Sequence, residues 1–148
     1  TPLLVVAHGA QEQWAEPTAL VVVVFVSIWV SDAAAYLYGH AFGNRKLAPG
    51  ISPGKTVGGF VAGIAGALLP LALHRFLPLT LVELAPLLLL TGVIGQLGDL
   101  AESALKRDAG LKDAPGLIPG HGGVLDRFDS YLFAFPVCYV YLKLVSAY

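Results

Sequence analysis

The run from Thr18 to Tyr38 (TALVVVVFVSIWVSDAAAYLY) carries one acidic residue, Asp32, and no Lys or Arg. About 20 apolar residues, rising 1.5 Å each in an α-helix, cross the hydrocarbon core of a bilayer. The β-branched stretch Val21–Val26 alone would read as a buried strand, but continuous apolar length beyond about 12 residues favours a helix. Three more such stretches follow, at about 57–77, 79–97 and 130–148. Inside hydrocarbon, backbone N–H and C=O groups must be satisfied within the protein, so segments of this length fold as helices. The expected fold is therefore all-α: a polytopic helical membrane protein with about four transmembrane helices, forming a single membrane domain over residues 1–148. Composition agrees, with 56% hydrophobic and 13% charged residues, against about 25% charged in a soluble domain.

The ends and turns add detail. Residues 1–16 are mixed, with Trp14 suited to a membrane interface, and Pro17 is placed to open the first helix. No basic n-region marks a signal peptide, and the start without Met suggests a processed chain or a piece of a longer protein. Cys138 is the sole cysteine, so it reads as a small buried or lipid-facing hydrophobe. Gly59-x-x-x-Gly63 permits close helix packing. His74, Arg75 and Pro78 mark a turn with Glu83 near it, and Pro136 is expected to kink or break the last span.

Charge is concentrated in two polar segments. Residues 99–129 hold six of the ten acidic residues and four of the nine basic ones; residues 39–56 add Arg45, Lys46 and Lys55. Two crossings separate these segments, so they face the same side of the membrane. Together they carry seven of nine Lys and Arg, which places that side in the cytoplasm. Gly54-Lys55-Thr56 fits the end of a P-loop, but Pro49 stands where its first glycine belongs and no strand is expected ahead of it. A basic loop that feeds a helix N-terminus can still hold phosphate.

If residues 99–107 continue the third helix, Asp99, Glu102, Ser103 and Lys106 share one face. Asp126 and Asp129, three apart, share a face at the start of the fourth helix. Carboxylates without a Cys or His partner set suit a hard cation such as Mg2+ rather than zinc, and His121 stands alone. The glycines of Pro119-Gly120-His121-Gly122-Gly123 let backbone amides approach an anion. Lys106, Arg107, Lys112 and Arg127 flank this turn, a pattern suited to phosphates bridged by metal. A solvated loop with mutually paired charges accounts for the same residues.

The pattern Ser103-Ala-Leu-Lys106-Arg107, Lys112-Asp113 and Pro119-Gly-His121-Gly122-Gly123-x-x-Asp126-Arg127-x-Asp129 resembles the signature of CDP-diacylglycerol synthases (phosphatidate cytidylyltransferases). Gly98-Asp99-Leu-x-Glu102-Ser103 is similar to the family too, as are Ser31-Asp32-x-x-Ala-Tyr36 and the connector from Gly43 through Lys46, Pro49, Ser52, Pro53 and Lys55 to Thr56. Pro115 and Val57 depart from the family's usual small residue and Trp. The resemblance covers about Ser31 to Ser130 and implies transfer of CMP from CTP to phosphatidic acid, giving CDP-diacylglycerol and pyrophosphate. It implies Mg2+, an associated monovalent cation such as K+, and a homodimer among membrane lipids, with no nucleic-acid partner. The expected setting is a bacterial inner membrane with the site facing the cytoplasm. Family members are usually longer, so the chain is expected to correspond to the C-terminal, catalytic half.

On that resemblance Asp99, Asp126 and Asp129 are the expected metal ligands, and with Lys106 and Arg107 they form the catalytic set. Lys46, Ser52, Lys55, Thr56, Lys112, His121, Gly122, Gly123 and Arg127 are the expected substrate-binding residues, and Asp32 is placed to approach the cluster from the first span. Three rivals remain: a CTP-dependent polyprenol or phytol kinase, a cation-binding membrane bundle, and an inactive fragment. A bundle of the second kind would spread its acids along several spans, whereas here they gather beside basic residues at one face.

Overall fold

The structure, a computed structural model, describes residues 2–77, 79–111 and 125–145, with side chains described for 18–77, 79–111 and 128–145. Helix α1 runs Pro2–Phe42, a hairpin of β1 (Lys46–Ala48) and β2 (Ser52–Thr56) follows, and α2 (Val57–Ala67) leads into a 3₁₀ segment, Leu69–Phe76. Helices α3 (Leu81–Asp108) and α4 (Leu125–Val145) complete the described chain. Among the described residues, four helical segments are long and apolar enough to cross a membrane: Thr18–Phe42, Val57–Phe76, Leu81–Asp108 and Phe128–Val145.

Three boundaries differ from the sequence expectation. Helix α1 starts at Pro2 rather than after Pro17, because the preceding segment is rich in good helix formers such as Ala, Leu, Gln and Glu. The connector contains an antiparallel hairpin, with Lys46 opposite Thr56 and Ala48 opposite Ser52. Its Gly- and Pro-rich sequence shows none of the alternation that announces a strand. The second span is not one α-helix: Pro70 lacks the N–H that would bond Gly66, and its ring opposes that carbonyl, so the α-helix stops at Ala67. In the 3₁₀ segment the Leu71 amide bonds Leu68 instead of Ala67. The Ala67 carbonyl is taken by the Ser27 hydroxyl of α1 at 2.8 Å. Helix α4, by contrast, continues through Pro136.

Helix α1 packs chiefly on α2, and α3 chiefly on α4; contacts of α3 with α1 and α2 join the pairs. The α1–α2 seam is made of small residues. A Cβ on Gly59 would stand 2.7 Å from the Ala35 carbonyl oxygen, and one on Gly66 would stand 2.7 Å from Ala34 Cβ. Along α3, Gly92 fits against Ala67, Gly95 against Ser130 and Gly98 against Phe133. Without a hydrophobic drive between helices in lipid, such close packing is the main source of association. The apolar core is Val23, Val24 and Ile28 of α1, Leu84, Leu87 and Leu88 of α3, and Ala134 and Cys138 of α4. Cys138 is buried beside the Thr91 hydroxyl at 3.2 Å.

The outer surfaces are apolar. Val21, Val22, Phe25 and Trp29 of α1, Val82 and Leu89 of α3, and Leu132, Val140 and Leu144 of α4 are all exposed. In water this would be an oversized apolar surface; in a bilayer it is the lipid contact. At the head of α3, the Thr80 amide and hydroxyl both donate to Glu83, at 2.8 and 2.7 Å, a local cap that closes the helix end.

Candidate active site

The hairpin places Lys55 next to the C-terminal half of α3. Lys55 Nζ lies 2.6 Å from Asp99 Oδ2, which brings the two polar segments of the sequence into contact. Arg107 ties them a second time: its Nε donates to the Ile51 carbonyl in the hairpin turn at 3.3 Å. Between these two links Asp99, Glu102 and Asp129 converge, each offering an oxygen within 4.8 Å of the others'. Asp99 and Glu102 are neighbours on α3 by their i, i+3 spacing. Asp129 comes from α4, and its carboxylate also accepts from the Ser130 amide.

Lysines balance part of this charge. Lys106 Nζ lies 2.8 Å from Glu102 Oε2, one turn along the same helix. The Glu102 side chain is only 6% exposed, and its Oε1 has no hydrogen-bond partner among the described residues. A buried carboxylate oxygen left unpaired costs free energy, and a bound cation removes that cost. Three hard oxygen donors with an unfilled acceptor fit Mg2+ well and zinc poorly. Asp32 of α1 lies within electrostatic reach of Asp99, Asp129 and Lys55, so a fourth acid borders the same space.

Asp32, Lys55, Asp99 and Asp129 line a cavity of about 710 Å³. Helix α1 contributes Asp32, Tyr36, Gly39 and His40; the hairpin contributes Lys46, Gly54, Lys55 and Thr56; Phe60, Gln96, Asp99, Asp129 and Ser130 add to the wall. The volume is within the range of small-molecule sites, about 300–1,000 Å³. Thr56 serves as N-cap of α2, its Oγ1 accepting from the Gly59 amide at 3.1 Å. The Val57 amide bonds the Arg45 carbonyl. Two of the first three amides of α2 are thus engaged by the protein, and the positive charges of this corner are the side chains of Lys46 and Lys55.

Of the residues singled out from the sequence, the structure brings Lys46, Lys55, Thr56, Asp99 and Asp129 to one cavity, while Lys106 pairs with Glu102 and is not on its wall. Ser52 lies in β2 but not on the cavity wall, and Arg107 points to the hairpin turn. Asp126 and Arg127 belong to the first turn of α4, but their side chains lie outside the described residues, as do Lys112, His121, Gly122 and Gly123 altogether. Sequence reasoning did not count Glu102 among the ligands, although its spacing from Asp99 was the available signal. Gln96 and His40 were also missed, since nothing local to them marks a cavity, and Tyr36 entered only through the family resemblance, without a role.

The chain matches the Cytidylyltransferase family over residues 1–145. It is 49% identical over 124 residues to a phosphatidate cytidylyltransferase of Bacillus subtilis, covering 82% of this chain and 46% of that one. A phosphatidate cytidylyltransferase of Staphylococcus epidermidis is 43% identical over 135 residues, covering 88% of this chain and 52% of that one. The chain thus spans about half the length of these curated relatives. Among solved structures, one described as an intramembrane enzyme for archaeal membrane lipids biosynthesis superposes with a TM-score of 0.56 at 25% identity, covering 81% of this chain and 76% of that one. A family match across nearly the whole sequence, joined to relatives of this identity, establishes that the chain belongs to the cytidylyltransferase family.

Proposed function

We propose that the chain is the catalytic, C-terminal membrane domain of a phosphatidate cytidylyltransferase, which transfers CMP from CTP to phosphatidic acid. The observation that carries this reading is the convergence of Asp99, Glu102 and Asp129 within 4.8 Å, beside Lys55 and Lys106. Acids that hold a hard cation, set next to cations that hold phosphate, are what a nucleoside triphosphate requires. The names of the relatives supply the acceptor lipid.

In the proposed reaction a phosphate oxygen of phosphatidate attacks the α-phosphorus of CTP. The bond from that phosphorus to the bridging oxygen breaks, and pyrophosphate leaves with the electron pair. The attacking group is already an anion, so no general base is needed, and catalysis rests on positioning and charge neutralisation. Lys46 and Lys55 bind triphosphate oxygens from the hairpin side, and Lys106 does so from α3. Arg107 holds the hairpin turn in register with α3, and Thr56 fixes the start of α2 beneath it. Asp99, Asp129 and Glu102, with Asp126 from the first turn of α4, would hold Mg2+, which when bound supplies charge neutralisation at the triphosphate. Ser52, Lys112, His121, Gly122, Gly123 and Arg127 are assigned to substrate binding on the family resemblance. The same resemblance supports a K+ ion near the site and a homodimer. The concentration of Lys and Arg in residues 39–56 and 99–129 supports a cytoplasm-facing site in a bacterial inner membrane.

The test uses the chain in detergent with phosphatidate, Mg2+ and CTP labelled at either the α- or the γ-phosphorus. Label from the α-position is expected in the lipid phase. Transfer of γ-label to a polyprenol or phytol supplied in place of phosphatidate would establish the kinase reading instead, and no lipid label from a folded chain would overturn the activity.

A further inference from the structure

We propose that Lys55 is an exchangeable counter-ion of the carboxylate cluster: it occupies Asp99 when no divalent cation is bound and moves to a substrate phosphate when one is. The inference rests on the proposed reading of the site as one for a metal-bound nucleotide.

The two lysines at the cluster are not equivalent. Lys106 pairs with Glu102 one turn away on its own helix, a local contact that any Glu and Lys at that spacing can make. Lys55 arrives from the hairpin and meets Asp99 at 2.6 Å, with its ammonium sheltered from solvent. That pair therefore fixes the hairpin against α3. Asp99 also belongs to the set whose oxygens lie within 4.8 Å of one another. A cation held among those oxygens, with metal–oxygen distances of about 2.0–2.6 Å, would share the Asp99 carboxylate with the Lys55 ammonium and repel it.

A second observation shows that the lysines leave the cluster incomplete. Glu102 Oε1 is without a partner among the described residues, on a side chain 6% exposed. Glu102, a member of the cluster, thus retains a buried acceptor oxygen among the described residues. Lys55 has a route out: its side chain is 26% exposed and lines the cavity beside Lys46 and Thr56, and a lysine stem reorients its compact charge freely. Triphosphate oxygens in that cavity offer the displaced ammonium a new anion. Ion and nucleotide then reinforce each other's binding, reciprocally, as linkage demands.

The experiment needs no turnover. Mn2+ binding to the full chain in detergent is followed by the electron paramagnetic resonance of free Mn2+, without nucleotide. Lys55→Met is expected to bind Mn2+ roughly tenfold more tightly than the unaltered chain, because a competing positive charge is gone; Lys55→Arg, which keeps the charge, is expected not to. In the unaltered chain, acetylation by an amine-reactive ester is read by mass spectrometry as the ratio of Lys55 to Lys143, which is exposed and does not line the cavity. The ratio is expected to rise several-fold with Mn2+ and to fall again when a non-hydrolysable CTP analogue is added. Equal Mn2+ affinity in Lys55→Met, or Lys55 still protected with Mn2+ bound, overturns the exchange while leaving the metal site standing. No Mn2+ binding to either form overturns both the exchange and the metal-site reading beneath it.

Discussion

Gln96 Nε2 of α3 donates to the Phe60 carbonyl of α2 at 3.0 Å, in space that exists because residue 63 is glycine. A Cβ at Gly63 would stand 2.5 Å from that nitrogen and 3.0 Å from Ala35 Cβ. Three helices meet at this point, and the cavity wall runs directly past it.

Gly63→Leu is therefore expected to lower stability by about 1–3 kcal/mol through overpacking, read as a drop in the thermal midpoint in detergent. Gly50→Ala in the hairpin turn is the control, since nothing lies within 4 Å of its would-be Cβ. Equal midpoints for the two variants would show that the seam is not the tight contact described.

Ser27→Ala removes the hydroxyl that takes the Ala67 carbonyl where the α-helix gives way to 3₁₀ geometry. Interhelical hydrogen bonds of this kind in membranes contribute about 0.6–2 kcal/mol, and a loss in that range is expected in chemical denaturation. Ser27→Thr keeps the donor and is expected to lose less. A neutral Ser27→Ala would mean the carbonyl finds another partner.

Glu102→Gln keeps the shape of the buried side chain but withdraws a negative charge from the cluster. Mn2+ affinity is expected to fall roughly 10–100-fold, measured by the same resonance titration without nucleotide. Unchanged affinity would place the ion elsewhere and remove Glu102 from the ligand set.

Arg107→Ala cuts the tether from α3 to the Ile51 carbonyl. The bond is exposed, so global stability is expected to change by less than about 1 kcal/mol. Amide exchange across residues 46–56 should rise and nucleotide affinity should fall together. A fall in nucleotide affinity with hairpin exchange unchanged would instead assign Arg107 a direct phosphate contact.

The membrane-spanning character was legible because apolar length is a local property: Thr18–Tyr38 announces itself without reference to any other segment. The hairpin was not, because Ser52-Pro53-Gly54-Lys55-Thr56 has no alternating apolar face, and its pairing with Lys46–Ala48 follows from the sharp return at Pro49 and Gly50. The site was half legible. Asp99 and Glu102 lie three residues apart on one helix, so their proximity can be counted from the sequence. Asp129 reaches them only through the packing of α3 on α4, and Gln96 and Tyr36 become wall residues only once α1, α2 and α3 surround a cavity. Arg107 reads as a phosphate ligand from its charge, and only the fold supplies the backbone carbonyl it meets.

The α1–α2 seam carries one more consequence. Where Gly59, Gly63 and Gly66 meet Ala34 and Ala35, there is almost no side chain left to rearrange, so the spacing between these helices is a backbone-to-backbone distance. The wall that carries Asp32 and Tyr36 is thereby gauged against the wall that carries Thr56 and Phe60 with little slack. The lipid-facing residues on the opposite sides of the same helices can drift in size and identity to suit a thicker or thinner bilayer, and the caliper inside keeps its setting.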